Sequence, residues 1–452
     1  MRRQLIVFGV FVLALGACAW GQPGRDASRS GYNPLETAIT AANVGKLGLN
    51  WQAAESITGP GGSMPVSDGA HVFRVIGQLN GDMTLLAYPV DGGAQCTSTQ
   101  PKVCPAQWST KLPFAPTIEQ PQAIVADGRI FVGGSDSAGR FIVVGFDSAR
   151  DSACPGSTPT CAPVWRADIS AAWGGPRSDL SASGGRLYVT EPTAPAVAAF
   201  DVTGGINCTA TVPTECTPLF VAGTPVLDAP AIGVGRLFVT GMAFDALGVT
   251  GCAAGVCAPL FSVDADPSSQ AVAGSLFYAA VGGYVDAFDA SGVAGCSGAP
   301  VVCARQFRAL TPSLTDVDIL AVAGDRLVLR GTNGSGGISS LYTLDATGVQ
   351  GCSGVPKSCA PLWVSALPKD EGVRGSAASG SLLFVVSGSG STAASLRVFD
   401  THGAPCASPP TSCSALRTLS LSEPNVSAPI LTNGHLIVGG RDSVLKVLTL
   451  QP

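Results

Sequence analysis

A short segment that recurs along almost the whole chain constrains the fold more than any other feature. Its clearest copy, LYTLDATGVQGCSGVPKSCAPLW, runs from Leu341 to Trp363. The copy consists of a strand ending in Asp345, a Gly-rich turn, a cysteine pair and a second strand that begins near an aromatic residue. Seven copies are present along the 452 residues. Such self-similarity indicates a solenoid, a propeller or another repeat array.

Fourteen of the fifteen cysteines belong to these copies, in pairs five to eight positions apart. Zinc and haem sites use C-x-x-C spacings, which the chain lacks, so the cysteines indicate no metal site. We predict seven hairpin-loop disulfides, each stabilising the fold by ~2–3 kcal/mol and together indicating an oxidising compartment. They are Cys96–Cys104, Cys154–Cys161, Cys208–Cys216, Cys252–Cys257, Cys296–Cys303, Cys352–Cys359 and Cys406–Cys413.

The N-terminus predicts export. Arg2 and Arg3 precede an apolar run from Leu5 to Leu15, which is too short for a membrane span but typical of a signal-peptide core. The following Leu-Gly-Ala-Cys sequence resembles the lipobox of bacterial lipoproteins, in which the cysteine is lipidated and becomes the new N-terminus. Residues 1–17 are therefore interpreted as a lipoprotein signal peptide and Cys18 as the lipidation site, with an ordinary secretory signal as the alternative. We expect a protein held by this lipid on a cell membrane or outer membrane, facing the periplasm or the cell exterior.

Charge excludes some partners. Removing residues 1–17 leaves 24 basic against 31 acidic residues, a balance of −7, and no basic run remains. This argues against nucleic acid as a partner. Only 13% of residues are charged, whereas Gly (57) and Pro (33) are frequent, as expected for many short strands joined by tight turns.

The repeats predict an all-β, eight-bladed β-propeller of four-stranded blades. Residues 18–44 contain turn formers without sustained alternation and are interpreted as a lipidated N-terminus and irregular lead-in, whereas residues 45–452 form the propeller. Eight first strands and eight fourth strands can be counted, but only seven cysteine pairs. The difference is explained if the last blade takes three strands from the C-terminus and its fourth from residues 47–53, which closes the ring and leaves no free sheet edge there.

The lead-in and the repeats together resemble a known family. The pattern Gly24-Arg25-Asp26…Tyr32-Asn33-Pro34, followed by G-R-L-Y-V…A-F-D-A…C…C-A-P-L-W repeats, is similar to the PQQ-repeat propellers of the quinoprotein alcohol-dehydrogenase-like superfamily. The resemblance covers residues 20–452 and implies eight blades. It also implies two classes of function, because the family includes calcium- and PQQ-dependent dehydrogenases and non-catalytic members such as a lipoprotein that assists outer-membrane β-barrel assembly.

Residues that recur in every repeat are expected to serve the blades, whereas a functional site should occur once. The recurrent Asp is predicted to satisfy backbone donors in a turn, and the aromatic residue of the fourth strand is predicted to pack between blades. Non-repeated residues near the starts of first strands are the candidates for a ligand-binding pocket, against the alternative of an ordinary solvated channel mouth. They are Trp173, Arg177, Asp179, Asp228, Asp316, Asp318 and Arg374.

No position matches the family's catalytic residues, and the chain has no Cys-Cys dipeptide of the kind found near PQQ in such enzymes. We therefore predict no catalytic residue and no metal ligand. The expected function is that of a monomeric, non-catalytic binding scaffold for a protein or glycan of the cell envelope. The alternative is a PQQ- and calcium-dependent dehydrogenase or a PQQ-binding sensor.

Overall fold

Eight antiparallel sheets follow one another around a ring, which confirms the prediction of an all-β, eight-bladed propeller. The structure, a computed structural model, describes residues 19–55, 62–77, 81–115, 121–149, 161–169, 179–190, 197–223, 230–311, 314–332, 339–389, 392–403, 406, 412–424, 426–440 and 443–452. Within these residues a three-residue 3-10 helix, Val44–Lys46, is the one helix. None of the described residues forms a helix with the length and hydrophobicity that crossing a membrane requires.

Each blade is a four-stranded meander, numbered here from blade 1 to blade 8 in chain order. The four strands of each blade are Val66–Ser67, His71–Gly77, Met83–Pro89 and Trp108–Lys111 (blade 1); Ala123–Ala126, Arg129–Ser135, Phe141–Asp147 and Trp165–Asp168 (blade 2); Leu180–Ser183, Arg186–Thr190, Val197–Asp201 and Phe220–Ala222 (blade 3); Ala231–Gly233, Arg236–Val239, Met242–Asp245 and Phe261–Val263 (blade 4); Ser269–Ala273, Leu276–Val281, Tyr284–Asp289 and Phe307–Leu310 (blade 5); Asp316–Ala323, Arg326–Thr332, Ser339–Asp345 and Trp363–Ala366 (blade 6); Gly372–Ser379, Leu382–Gly388, Ser395–Asp400 and Arg417–Ser420 (blade 7); and Ile430–Thr432, His435–Gly440, Ser443–Leu450 and Leu47–Ala53 (blade 8).

The meander gives the ring two different faces. The turns between first and second strands and the loops between third and fourth strands lie on one side, which we call the turn face. The connections between second and third strands and those from one blade to the next lie on the other side, which we call the mouth face.

The two chain ends meet in blade 8. The strand Leu47–Ala53 pairs antiparallel with Ser443–Leu450, with Leu47 opposite Leu450 and Gln52 opposite Lys446. Blade 8 therefore combines three C-terminal strands with one strand from near the N-terminus.

The recurrent Asp caps the turn after the third strand in blades 2 to 7, as predicted. In blade 5 the Asp289 Oδ2 accepts the backbone N–H groups of Val293 and Ala294, each at 2.7 Å. Burial by itself would raise the pKa of this carboxyl, but these donors and the Ser291 hydroxyl outweigh it and hold the pKa below its ordinary value. The pKa values of Asp201, Asp245 and Asp345 are lowered by the same balance.

In blades 2 to 6 and in blade 8 the aromatic residue of the fourth strand packs against the turn after the third strand of the following blade, which confirms its predicted place between blades. The indole N–H of Trp165 donates to the carbonyl of Asp201 at 3.0 Å. Where the ring is phenylalanine, a glycine of the turn lies directly on it: Gly292 has φ of 79°, and a Cβ there would lie 2.4 Å from the ring of Phe261. Only glycine fits both this backbone conformation and this contact.

The cysteine hairpins extend the sheets across blade boundaries. Lys357–Cys359 of blade 6, for example, pairs in parallel with Phe307–Leu310 of blade 5. The other hairpin strands are Lys102–Cys104, Thr214–Cys216, Cys252–Ala253, Val256–Cys257, Cys296–Ser297, Val302–Cys303 and Cys352–Ser353. Six predicted disulfides are formed in the described residues, and Cys161 is also disulfide-bonded, although Cys154 lies outside them.

The outer edges of the blades are not covered alike. In the described part of the chain the fourth strands of blades 1, 6 and 7 pair with no hairpin strand, although Val364 of blade 6 forms a single parallel bridge with Ser412. In blade 7 this fourth strand is Arg417–Ser420. The hairpin that would cover this edge belongs between the third and fourth strands of blade 8, which is where the chain ends lie. Such an uncovered edge presents backbone N–H and C=O groups to its surroundings.

The lead-in holds all eight blades together. It crosses the turn face and contacts the first strand of every blade in order, beginning with the Trp20 carbonyl, which accepts from Ser67 N–H at 2.9 Å. Further on, the Ala27 carbonyl accepts from Ile232 N–H at 2.7 Å, and the Asn33 side chain donates to the Leu431 carbonyl at 3.1 Å. The segment is irregular, and its backbone groups, together with the side chains of Gln22 and Asn33, bond to the first strands all around the ring.

Candidate functional site

The described candidate residues lie on the mouth face at the starts of first strands. Asp179 precedes the first strand of blade 3, Asp316 and Asp318 lie in that of blade 6, and Arg374 lies in that of blade 7. Asp316 and Arg374 are exposed. The other three predicted residues, Trp173, Arg177 and Asp228, lie outside the described residues.

Asp318 belongs to an ion pair that joins two blades. The Arg330 Nε, on the second strand of blade 6, donates to Asp318 Oδ2 at 2.6 Å. The same guanidinium donates from Nη1 to the backbone carbonyl of Val373 in blade 7 at 3.0 Å. Both groups of the pair are half-exposed, so its contribution to stability is ~1 kcal/mol at most. The geometry assigns Asp318 to positioning the first strands of blades 6 and 7.

A second acid, Glu371, is held in the same way next to Arg374. The Arg397 guanidinium donates from Nη1 to Glu371 Oε2 at 2.6 Å and from Nη2 to Oε1 at 3.2 Å, and the Ser387 hydroxyl also donates to Oε2 at 2.8 Å. Burial raises the pKa of Glu371, but these hydrogen bonds and the arginine charge outweigh it and hold the pKa below its ordinary value. Glu371 is therefore ionised at neutral pH.

Sequence reasoning missed the arginines that hold these acids. A further case lies in blade 5, where Arg308 donates from Nε and Nη2 to the two oxygens of Asp286 at 2.7 Å each. Its guanidinium carbon also lies 3.5 Å from the centre of the Tyr284 ring. The sequence did contain a signal for these arginines, because each lies within a strand of mostly apolar residues. An arginine in such a strand needs a hydrogen-bonding partner when the strand packs.

The most buried of the missed arginines is Arg74, with 1% of its surface exposed. Its Nη2 donates to the carbonyl of Gly440 in blade 8. Burial lowers the pKa of Arg74 to about 10, so the guanidinium remains charged at neutral pH. Arg74 links blade 1 to blade 8, the blade that contains both chain ends.

The turn face contains a cavity of about 380 Å³ between the lead-in and the first-to-second turns of blades 4 to 6. Arg25, Ser28, Ser30 and Tyr32 contribute its polar groups. These groups mostly satisfy one another: the Arg25 Nη1 donates to Asp26 Oδ2 at 2.6 Å, and the Ser28 hydroxyl donates to Asp26 Oδ1 at 2.6 Å. Arg25 at the wall of the cavity is therefore already paired with Asp26, and the remaining wall residues are mostly small and apolar.

A PQQ and calcium site on the mouth face would need oxygen ligands that are free to bind the metal ion. Calcium requires six to eight oxygen ligands, with carboxylates prominent among them. Asp318 and Glu371 each already bind an arginine, and no three His, Cys, Asp or Glu side chains in the described ranges group closely enough to hold a metal ion. The described mouth residues therefore do not form the carboxylate set that the cofactor would need.

Comparisons with known proteins concern the fold. No family model and no curated protein matches the chain. Among solved structures, the computationally designed Ika8 protein has a TM-score of 0.55 at 11% identity, covering 89% of this chain and 99% of that one. Quinohemoprotein alcohol dehydrogenases from Pseudomonas putida HK5 and Comamonas testosteroni have TM-scores of 0.42 at 12% and 13% identity, each covering 98% of this chain and 82% of the other. At these identities the likeness extends to the arrangement of strands and not to chemistry.

Proposed function

We propose that this protein is a non-catalytic lipoprotein of the cell envelope whose propeller acts as a binding scaffold. In this proposal Cys18 carries the lipid, and the connections on the mouth face bind a protein or glycan of the envelope. The observation that carries the proposal is the contrast between the two faces of the ring.

The turn face is built from repeated parts, whereas the connections between blades on the mouth face differ strongly in length. Long connections lead into blades 1, 2 and 3, and a short one into blade 5. The long ones are residues 54–65, 112–122 and 169–179, and the short one is 264–268; the connections into blades 6 and 7 also have five residues, but there the first strand itself begins earlier and has eight residues. A rigid scaffold needs only the short form, so the additional residues support a role in binding.

The scaffold is suited to that role because several sets of contacts between its parts keep it rigid. The lead-in bonds to every blade, the cysteine hairpins cross blade boundaries, and arginines such as Arg330 join neighbouring blades. Loops held on a rigid frame lose less conformational entropy when they bind than loops on a mobile one.

The proposal can be tested by shortening one mouth connection. Residues 170–178 would be replaced by the three residues 265–267, which reproduces the short connection between blades 4 and 5. A photo-crosslinking amino acid would be placed in cells at Arg374 on the mouth face or at Glu215 on the turn face. We expect a discrete adduct from position 374 that disappears in the shortened variant. Equal adducts from both positions, or an adduct that the shortening leaves unchanged, would contradict a binding role for the mouth.

The competing function is PQQ- and calcium-dependent oxidation or PQQ sensing. Calorimetric titration of residues 20–452 with PQQ and calcium, followed by a dye-linked alcohol oxidation assay, separates the two proposals. A scaffold gives no saturable heat and no turnover. Saturable binding with turnover would overturn the scaffold proposal and direct mutagenesis to Trp173, Arg177 and Asp179.

A further inference from the structure

Exposed apolar side chains are concentrated on one part of the turn face. The described residues include twelve exposed large hydrophobic side chains, and nine of them lie in the Asp turns and cysteine hairpins of blades 3 to 6. We call these nine residues the apolar rim. They are Ile206, Val212, Leu247, Val249, Val256, Val293, Val302, Val349 and Val355.

The turns themselves do not require apolar residues at these positions. Val249, Val293 and Val349 occupy the same place in three successive blades, and each donates its backbone N–H to the capping Asp at 2.7–3.2 Å. Their side chains contribute nothing to that bond and are 74%, 76% and 70% exposed. Any residue except proline could make the contact, so the turn geometry does not explain the repeated choice of valine.

The same stretches carry little charge. Residues 246–260 of blade 4 and 290–304 of blade 5 contain no Asp, Glu, Lys, Arg or His, although they lie on the surface, and the corresponding stretches of blades 3 and 6 contain one exposed charge each, Glu215 and Lys357. The tip of the blade 6 hairpin, Val355, is fully exposed. A group of exposed apolar residues with so little charge is typical of a surface that contacts a partner or a membrane.

The position of the N-terminus identifies what this surface faces. Trp20 is only 1% exposed and its carbonyl bonds to Ser67, so the lead-in is fixed to the turn face from its first residues. Cys18 precedes Trp20 by two residues, which span at most ~7 Å. A lipid on Cys18 would therefore place the turn face against the bilayer, with little tether between them.

We infer that the apolar rim is a membrane-contact surface that rests on the outer layer of the bilayer and orients the mouth face away from it. The inference extends the proposed function, because the proposed lipid anchor is what places this face at the membrane. The lipid on Cys18 would hold the chain at the bilayer but would not by itself fix which side of the fold faces it, so a second contact, made by the rim, is needed for a defined orientation.

The experiment uses protein without the lipid, so that the rim is tested separately from the anchor. Residues 1–18 would be replaced by a cleavable secretory signal, which leaves residues 19–452 and hence every described strand and the lead-in. Binding is measured by flotation with 100-nm vesicles of phosphatidylcholine and phosphatidylglycerol. The variant carries Val249→Asp, Val293→Asp and Val349→Asp. The matched control is Leu310→Asp, because Leu310 is an apolar residue 41% exposed at the mouth end of a fourth strand.

We expect the parent and the Leu310→Asp control to float with vesicles and the triple variant to lose at least tenfold in bound fraction. Circular dichroism melting checks that the triple variant is folded, and Val293→Asp alone serves if it is not. No flotation of the parent, or equal flotation of the triple variant, would overturn the inference. A dimer in sedimentation that the triple substitution dissociates, without vesicle binding, would also overturn it and assign the rim to a second copy of the chain. Radiolabelled palmitate incorporation at Cys18 in cells tests the anchor independently.

Discussion

The contact between Gly292 and Phe261 gives the sharpest test of how neighbouring blades are joined. Replacing Gly292 by alanine places a methyl group 2.4 Å from the Phe261 ring at a residue whose φ is 79°. The left-handed backbone costs an L-residue ~1–2 kcal/mol, and overpacking against a buried ring costs a further ~1–3 kcal/mol. Since alanine also restricts the unfolded chain, which offsets up to ~1 kcal/mol, we expect a net loss of about 2–4 kcal/mol.

Gly282 provides a matched control within the same blade. It also has positive φ, 55°, but no heavy atom lies within 4 Å of the position of a Cβ. Gly282→Ala should therefore show only the backbone effect, about 1 kcal/mol. The free energy of opening would be measured by amide hydrogen exchange in the third and fourth strands of blade 5, with disulfides intact. A double-mutant cycle with Phe261→Leu should recover about 1–2 kcal/mol of the Gly292→Ala loss. Equal effects at Gly292 and Gly282, or no coupling to Phe261, would refute the proposed role of this contact.

Three further predictions concern other parts of the chain. Asp289→Asn should lower the free energy of unfolding by about 1–2 kcal/mol at pH 7 through weaker hydrogen bonds to the turn. Because folding lowers the pKa of Asp289 from 3.8, this contribution is present above pH ~4 and is lost as pH falls through the folded pKa, so the difference in unfolding free energy between parent and variant, measured in urea, should narrow in acid. Asp91→Asn is the control that should stay close to the parent, because Asp91 is exposed and accepts from Gly93 N–H in a short turn. Mass spectrometry of non-reduced peptides should recover all seven local disulfides, including Cys154–Cys161, and free thiols at most of these sites would remove the argument for an oxidising compartment. Cys18→Ala should abolish incorporation of labelled palmitate, whereas retained label would place the lipid elsewhere.

Much of the architecture could be predicted from the repeat alone. A residue that every blade needs recurs at every period, so the capping role of Asp289 and the packing of Trp165 between blades were predictable without any contact being known. The disulfide-closed hairpins were also predictable, because cysteines only five to eight positions apart in every copy can close only a local loop.

The candidate site was less accessible to this reasoning. Non-repetition singled out Asp318 but could not show that its carboxylate already binds Arg330. Likewise, Arg374 was selected while its neighbour Glu371 proved to be held by Arg397. Whether a charge is available to a ligand depends on partners that are distant in sequence, and a pattern read along one strand does not contain them.

The sequence by itself determined the number of blades, the strand order within them and the covalent loops, because each of these follows from local periodicity and from the turn chemistry of Gly, Asp and Cys. Only the tertiary structure showed that the irregular lead-in, from Trp20 to Asn33, bonds to all eight blades. It also showed that the exposed valines of blades 3 to 6 share one face with the lead-in. The physical reason is that the lead-in reaches six blades through backbone groups, which any sequence can supply, and the other two through the side chains of Gln22 and Asn33, whose partners are distant in sequence. A common face is likewise a property of ring geometry and not of any single segment.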